Sequence, residues 1–251
     1  MKLIHIEHRN KVAILKLNRG IINAINPLLI NELAESLQKV RDNTDVNSLV
    51  LVSSNNKFFS ISLDIPQLFD LTKEDFRVFY HTFNRVCIDL YTLPKPTTAA
   101  ITGHATAGGC ILALCCDYRF IAEGHKLMGL NEIKLGVPVP YPADCILRQI
   151  VGTRNAREIT NTGEFYQPET LLQMGLVDHV LPLEQVRPKS IEKAELLGAL
   201  AHKVFAMSKR NLVETVEAQI LTHLAEKEAF FVECWYSDEG RKRLKEAIKK
   251  F

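Results

Sequence analysis

Three observations predict an α/β fold with parallel strands and a helical C-terminal region. Short apolar runs such as Ser48-Leu49-Val50-Leu51-Val52 and Thr97 to Ile101 lack polar alternation, as strands covered on both faces do. Amphipathic helical segments alternate with these runs, the order expected of parallel strands joined by right-handed crossovers. Past about residue 181 the strand signals stop and long helical patterns run to the end.

Residues 3–8 and 12–17 read as two short strands about a turn at Asn10. Asn26-Pro27 supplies an N-cap followed by proline at the first helical position, and Ile30, Leu33, Leu37 and Val40 recur at helical spacing behind it. After the strand at 48–52, Phe76, Phe79, Phe83, Val86 and Leu90 mark a helix over roughly 74–92. Thr97 to Ile101 is the next strand, Gly108 to Cys116 a short apolar helix, and Tyr118 to Ala122 a further strand. Beyond Gly136 come Pro138, Pro140 and Pro142, helical patterns at about 142–151, 153–161 and 168–174, and a short strand at 177–181. The proline-bearing stretch Leu181 to Pro188 divides the chain into residues 1–187, a binding and catalytic core, and residues 188–251, a helical region for oligomerisation.

The composition excludes several classes. With 251 residues, 47% hydrophobic and 24% charged, the chain is long and apolar enough to bury a core, so disordered and collagen-like readings fall away. A net charge of +2 lacks the basic balance of a nucleic-acid binder, and no nucleic-acid partner is expected. The uncharged stretch Pro96 to Cys116 is long enough to cross a membrane, but Pro96, four threonines, Gly103 and Gly108-Gly109 break it, so it reads as soluble core. The N-terminal residues meet charge at once and the chain ends without a peroxisomal address, which leaves the cytoplasm as the expected location. Six cysteines include no C-x-x-C pair and read as reduced, buried thiols; eight scattered histidines show no zinc spacing, and no metal is expected.

Three segments carry candidate chemistry. Gly108-Gly109 follows a buried strand and opens a helix, which gathers free N–H groups and a positive dipole end; the competing explanation is two glycines that let a helix pack close to a strand. Phe58-Phe59-Ser60-Ile61-Ser62-Leu63-Asp64-Ile65 reads as a loop leaving a parallel strand, where α/β proteins place ligands. Met128 to Gly136 sets Glu132 in an apolar segment, where desolvation would raise its pKa toward that of a useful base.

In their order and spacing these segments, with Asn23-Ala24-Ile25-Asn26, Gly103-His104-Ala105-Thr106-Ala107-Gly108-Gly109-Cys110, Gly175-Leu176-Val177-Asp178 and Asp238-Glu239-Gly240-Arg241, resemble the crotonase (enoyl-CoA hydratase/isomerase) family nearly end to end. The resemblance implies a spiral of β-β-α units with a helical trimerisation region, a homotrimer or dimer of trimers, and an acyl-CoA substrate. No separate cofactor is implied, because coenzyme A enters as part of the substrate. It makes the Leu63 and Gly108 N–H groups the oxyanion donors and Glu132 the base, with Ser60, Ile61, Ser62, Asp64, Ile65, Gly109, Ile111 and Asn131 about the substrate. Hydratases of this family usually carry a second glutamate where this chain has Ile111, a departure that points to the Δ3,Δ2-enoyl-CoA isomerase branch. A hydratase, another acyl-CoA transformation using Glu132 alone, and a catalytically weak member kept for binding remain as alternatives, as does thioester hydrolysis through Cys110. Ser62 stands where glycine is common, just before an oxyanion donor. Lys57 and the tail cations Arg241, Lys242, Arg243, Lys245, Lys249 and Lys250 are candidates for the CoA phosphates.

Overall fold

β1 (Ile4–Arg9) and β2 (Val12–Leu17) form the expected antiparallel hairpin, turning at Asn10, whose φ of 53° suits the short polar side chain. The computed structural model describes residues 2–249. α1 (Pro27–Asp42) starts as its sequence demands: the Asn26 side chain accepts from the Leu29 N–H at 2.9 Å and proline fills the first turn.

From here the chain repeats one unit: a strand in a first sheet, a strand in a second sheet, then helix. β3 (Ser48–Ser53) is followed by β4 (Phe58–Ile61), α2 (Ile65–Phe69) and α3 (Lys73–Tyr91); β5 (Thr97–Ile101) by β6 (His104–Thr106) and α4 (Gly108–Leu114); β7 (Tyr118–Ala122) by β8 (Met128–Gly129) and a 3-10 turn at Glu132–Leu135. α5 (Tyr141–Thr162), β9 (Phe165–Tyr166), α6 (Pro168–Gln173) and β10 (His179–Leu181) complete the core, and α7 (Leu183–Gly198), α8 (His202–Tyr236) and α9 (Asp238–Ile248) the C-terminal region. The first sheet runs β1-β2-β3-β5-β7-β10, parallel from β2 onward; the second runs β4-β6-β8-β9, parallel except for β8 with β9. The structure is thus the α/β spiral of β-β-α units, with helices at its C-terminal end.

The structure differs from the sequence expectations at several points. Phe58 to Ile61 is a strand, not a loop, as are His104–Thr106 and Met128–Gly129; segments of two to four residues are too short to show a period of two. The two helical patterns about residue 152 are one helix, α5, kinked at Gly152, where φ is 70° and ψ 166°. β10 begins at His179 rather than 177, because the Leu176 N–H turns back to the Leu171 carbonyl at 2.8 Å. Leu181 to Pro188 is no linker: Pro182 caps α7, Pro188 lies inside it, and the division expected at 187/188 falls within that helix. Val186, Ile191 and Ala194 of α7 are buried with Val12, Val50, Ala100 and Phe120 of the first sheet.

Candidate active site

α4 and β4 meet so closely that a Cβ at Gly109 would collide with the Ser60 carbonyl oxygen. Gly108 beside it would carry a Cβ 3.4 Å from the Leu63 nitrogen and 2.9 Å from Ile25 Cδ1. Helix start and loop are thus brought together by residues with no side chain to separate them.

This contact leaves two main-chain donors side by side. The Ser62 N–H donates to the Thr106 carbonyl at 2.9 Å and the Asp64 N–H to the Ile25 carbonyl at 2.8 Å, while the Leu63 N–H between them has no acceptor among the described residues. Likewise the Ala107 N–H donates to the Gly129 carbonyl at 2.8 Å, and the Gly108 N–H that follows, at the first position of α4, has none among them. Both donors follow a residue at positive φ, Ser62 at 55° and Ala107 at 47°, conformations that cost non-glycine residues on the order of 1–3 kcal/mol and persist where the surroundings enforce them. The serine in place of the common glycine therefore keeps the left-handed backbone.

Glu132 sits at the start of the 3-10 turn, 5% exposed, in the wall of a cavity of about 20 Å³ that Leu63, Gly108 and Ile111 also line. Burial raises its carboxyl from 4.5 to about 7, opposed only in part by its own backbone N–H. Its Oε2 has no hydrogen-bond partner among the described residues, and neither has Nε1 of Trp235, another lining residue of this cavity. A charge-stabilising pair of N–H groups and a desolvated carboxyl near neutrality share one small space, an arrangement able to move a proton on carbon next to a carbonyl.

Ser62, Ile65 and Leu135 line both this cavity and a neighbouring cleft of about 670 Å³, which Ile61 and Asn131 line with His104, Lys134 and Arg243. Of the residues expected about the substrate, Ile61, Ser62, Ile65, Ile111 and Asn131 line one of these spaces. Ser60, Asp64 and Gly109 line neither. The Ser60 hydroxyl donates to the Asn23 carbonyl at 2.8 Å, Asp64 caps α2 and pairs with Arg19 at 2.5 Å, and Gly109 packs against β4. Cys110 is fully buried and its thiol is pushed well up by burial, the opposite of an activated nucleophile.

Among the tail cations, Arg241 lies 3.3 Å over the Phe69 ring and donates to the Phe69 carbonyl at 2.8 Å, so it ties α9 to α2. Lys57 lies 5.5 Å from the Phe58 ring centroid, and Lys250 falls outside the described residues. The sequence reading missed Lys134, two residues after Glu132, and the apolar walls Phe83, Val137, Pro140, Phe231 and Trp235. Phe231 and Trp235 are buried within the chain, stacked with Tyr80 and Phe76 at 4.0 and 4.4 Å, leaving Phe230 exposed.

The chain matches the enoyl-CoA hydratase/isomerase family over residues 7–251. It is 31% identical over 189 residues to the mitochondrial enoyl-CoA delta isomerase 1 of Mus musculus, covering 75% of this chain and 65% of that protein, just under two thirds. It is 26% identical over 246 residues to the short-chain-enoyl-CoA hydratase of Clostridium acetobutylicum, covering 98% of this chain and 94% of that one. Among solved structures it resembles human mitochondrial delta3-delta2-enoyl-CoA isomerase with a TM-score of 0.95 and 25% identity, covering 99% and 98% of the two chains.

Proposed function

The chain belongs to the enoyl-CoA hydratase/isomerase family, and on that premise we propose that it is a Δ3,Δ2-enoyl-CoA isomerase. The observation that carries this reading is the single carboxylate of the inner cavity. Apart from Glu132, the described residues lining it have no ionisable side chain, and Ile111 occupies the position where hydratases of the family usually hold their second glutamate. The likeness to delta isomerases of mouse and man supports the same branch. The likeness to a clostridial hydratase over nearly the whole chain favours hydration as the second reading.

In the proposed reaction the thioester oxygen accepts hydrogen bonds from the Leu63 and Gly108 N–H groups. Glu132 takes a proton from C2 of the 3-enoyl-CoA, and the electron pair spreads through a dienolate onto that oxygen. The protonated carboxyl then returns a proton at C4, so that the double bond moves from C3–C4 to C2–C3 with no net gain or loss. A carboxyl near pKa 7 suits both halves of this shuttle at neutral pH. In acyl transfer, removal of one oxyanion donor costs about 2.7–4 kcal/mol, the scale of what two preorganised amides supply. Ile111 keeps water from the face where a hydratase would activate it.

The cleft beside the reaction cavity, with Lys134, Arg243 and His104, suits the CoA portion. Burial and the neighbouring Lys126 and Lys57 lower the His104 pKa. The Leu127 N–H donates to its Nδ1 at 3.1 Å, which leaves Nε2–H as its donor. A homotrimer or dimer of trimers remains the proposal from the family resemblance, and α8 exposes apolar Val204, Met207 and Leu212 that an assembly could cover. Among the described residues no helix is long and apolar enough to cross a membrane, and a cytoplasmic location remains the proposal. Replacing Glu132 tests the mechanism: Glu132→Gln should lower kcat on 3-hexenoyl-CoA about a thousandfold or more while acyl-CoA binding stays within about tenfold. Turnover near that of the wild type would remove Glu132 from the reaction.

A further inference from the structure

Among the described residues, Phe231 is the one that lines both the reaction cavity of about 20 Å³ and a separate outer cavity of about 560 Å³ on the side of α5 and α8. The wall between the two is completed by the segment after the 3-10 turn, where Val137 and Pro140 face the inner space while Pro138 and Val139 face the outer one. Phe231 is buried and held in a ring stack, 4.0 Å from Tyr80 and 6.3 Å from Trp235, centroid to centroid. A ring pinned by aromatic neighbours is a fixed partition rather than a hinged one.

We propose that Phe231 is the residue that determines acyl chain length, closing the far end of the reaction cavity and restricting the enzyme to short-chain acyl-CoAs. This inference rests on the acyl-CoA reading above, which puts the CoA portion in the cleft and so aims the acyl end at this wall. The inner space has room for only about one water-sized group. The outer cavity falls within the size range of small-molecule pockets; its lining combines Tyr80, Ile133, Val139 and Phe230, which offer an alkyl tail apolar surface, with the polar Asp144, Arg148, Asn161, Gln219 and Lys227. Removing one ring would join the two spaces.

The test uses saturated acyl-CoAs, so it does not depend on which reaction the enzyme performs. By calorimetry the wild-type protein should bind hexanoyl-CoA at least tenfold more tightly than dodecanoyl-CoA. Phe231→Ala should move that ratio at least tenfold toward dodecanoyl-CoA, and Phe231→Leu should move it part of the way while keeping more of the core filled. A wild-type protein that prefers dodecanoyl-CoA would overturn the proposal whether or not either variant folds, as would a folded variant with an unchanged ratio. If the ratios shift as stated but 3-hexenoyl-CoA is not isomerised, the partition stands and the isomerase reading fails.

Discussion

In the proposed reaction Glu132 has to be buried to act as a base near neutrality, and burial makes its charge expensive. Its carboxyl titrates at about 7 in the folded chain against an ordinary 4.5, so the folded state holds the proton more tightly than the unfolded one. The stability this lends is fully present below about pH 4.5 and is lost as pH rises through 7, where the buried charge costs about 3 kcal/mol. Urea unfolding should therefore show Glu132→Gln gaining on the wild type by about that amount between pH 4.5 and 8.5. The same titration should make wild-type kcat/KM fall about tenfold per pH unit below 7. A Glu132→Gln effect independent of pH would mean that the carboxyl is not desolvated. This residue and its apolar setting were legible in the sequence. The strained φ values at Ser62 and Ala107 were not, because they come from the Thr106, Ile25 and Gly129 carbonyls to which flanking N–H groups are tied.

Gly108 and Gly109, read as a pair in the sequence, do different work as parts of an element. Gly109 supplies the close helix-to-strand approach that was the competing explanation, and that approach carries the Gly108 N–H to the Leu63 N–H. A methyl at position 109 must push the start of α4 off β4 and so separate the two donors. Gly109→Ala should lower the unfolding free energy by about 1–3 kcal/mol, as overpacking does, and lower kcat at least tenfold; wild-type melting and turnover together would contradict this account. α1, α3 and the strands of the first sheet were legible because each has enough residues to show a period or a continuous apolar run. The strands β4, β6 and β8 were hidden by their length, although they hold the loops that form the site.

Across the whole molecule, the spiral brings the turns after β4, β6 and β8 to one end of the second sheet, and Leu63, Gly108 and Glu132 stand in those three turns. Their convergence could be expected from a family resemblance but not from periodicity, since they are 24 to 69 residues apart in the chain. The partition at Phe231 was invisible for a related reason: its ring belongs to α8, while Tyr80 and Val139, which line the outer cavity with it, belong to α3 and the stretch from Pro138 to Pro140. In the proposed function, what the assembled site does follows from its having one carboxylate. The most direct measurement is a pair of assays on one preparation of the unmodified protein, with 3-hexenoyl-CoA and with 2-hexenoyl-CoA. The single-carboxylate account predicts efficient conversion of the first to the 2-enoyl product and hydration of the second at least about a hundredfold slower, a difference of about 2.7 kcal/mol in barrier. Efficient hydration of 2-hexenoyl-CoA without isomerisation of 3-hexenoyl-CoA would contradict it.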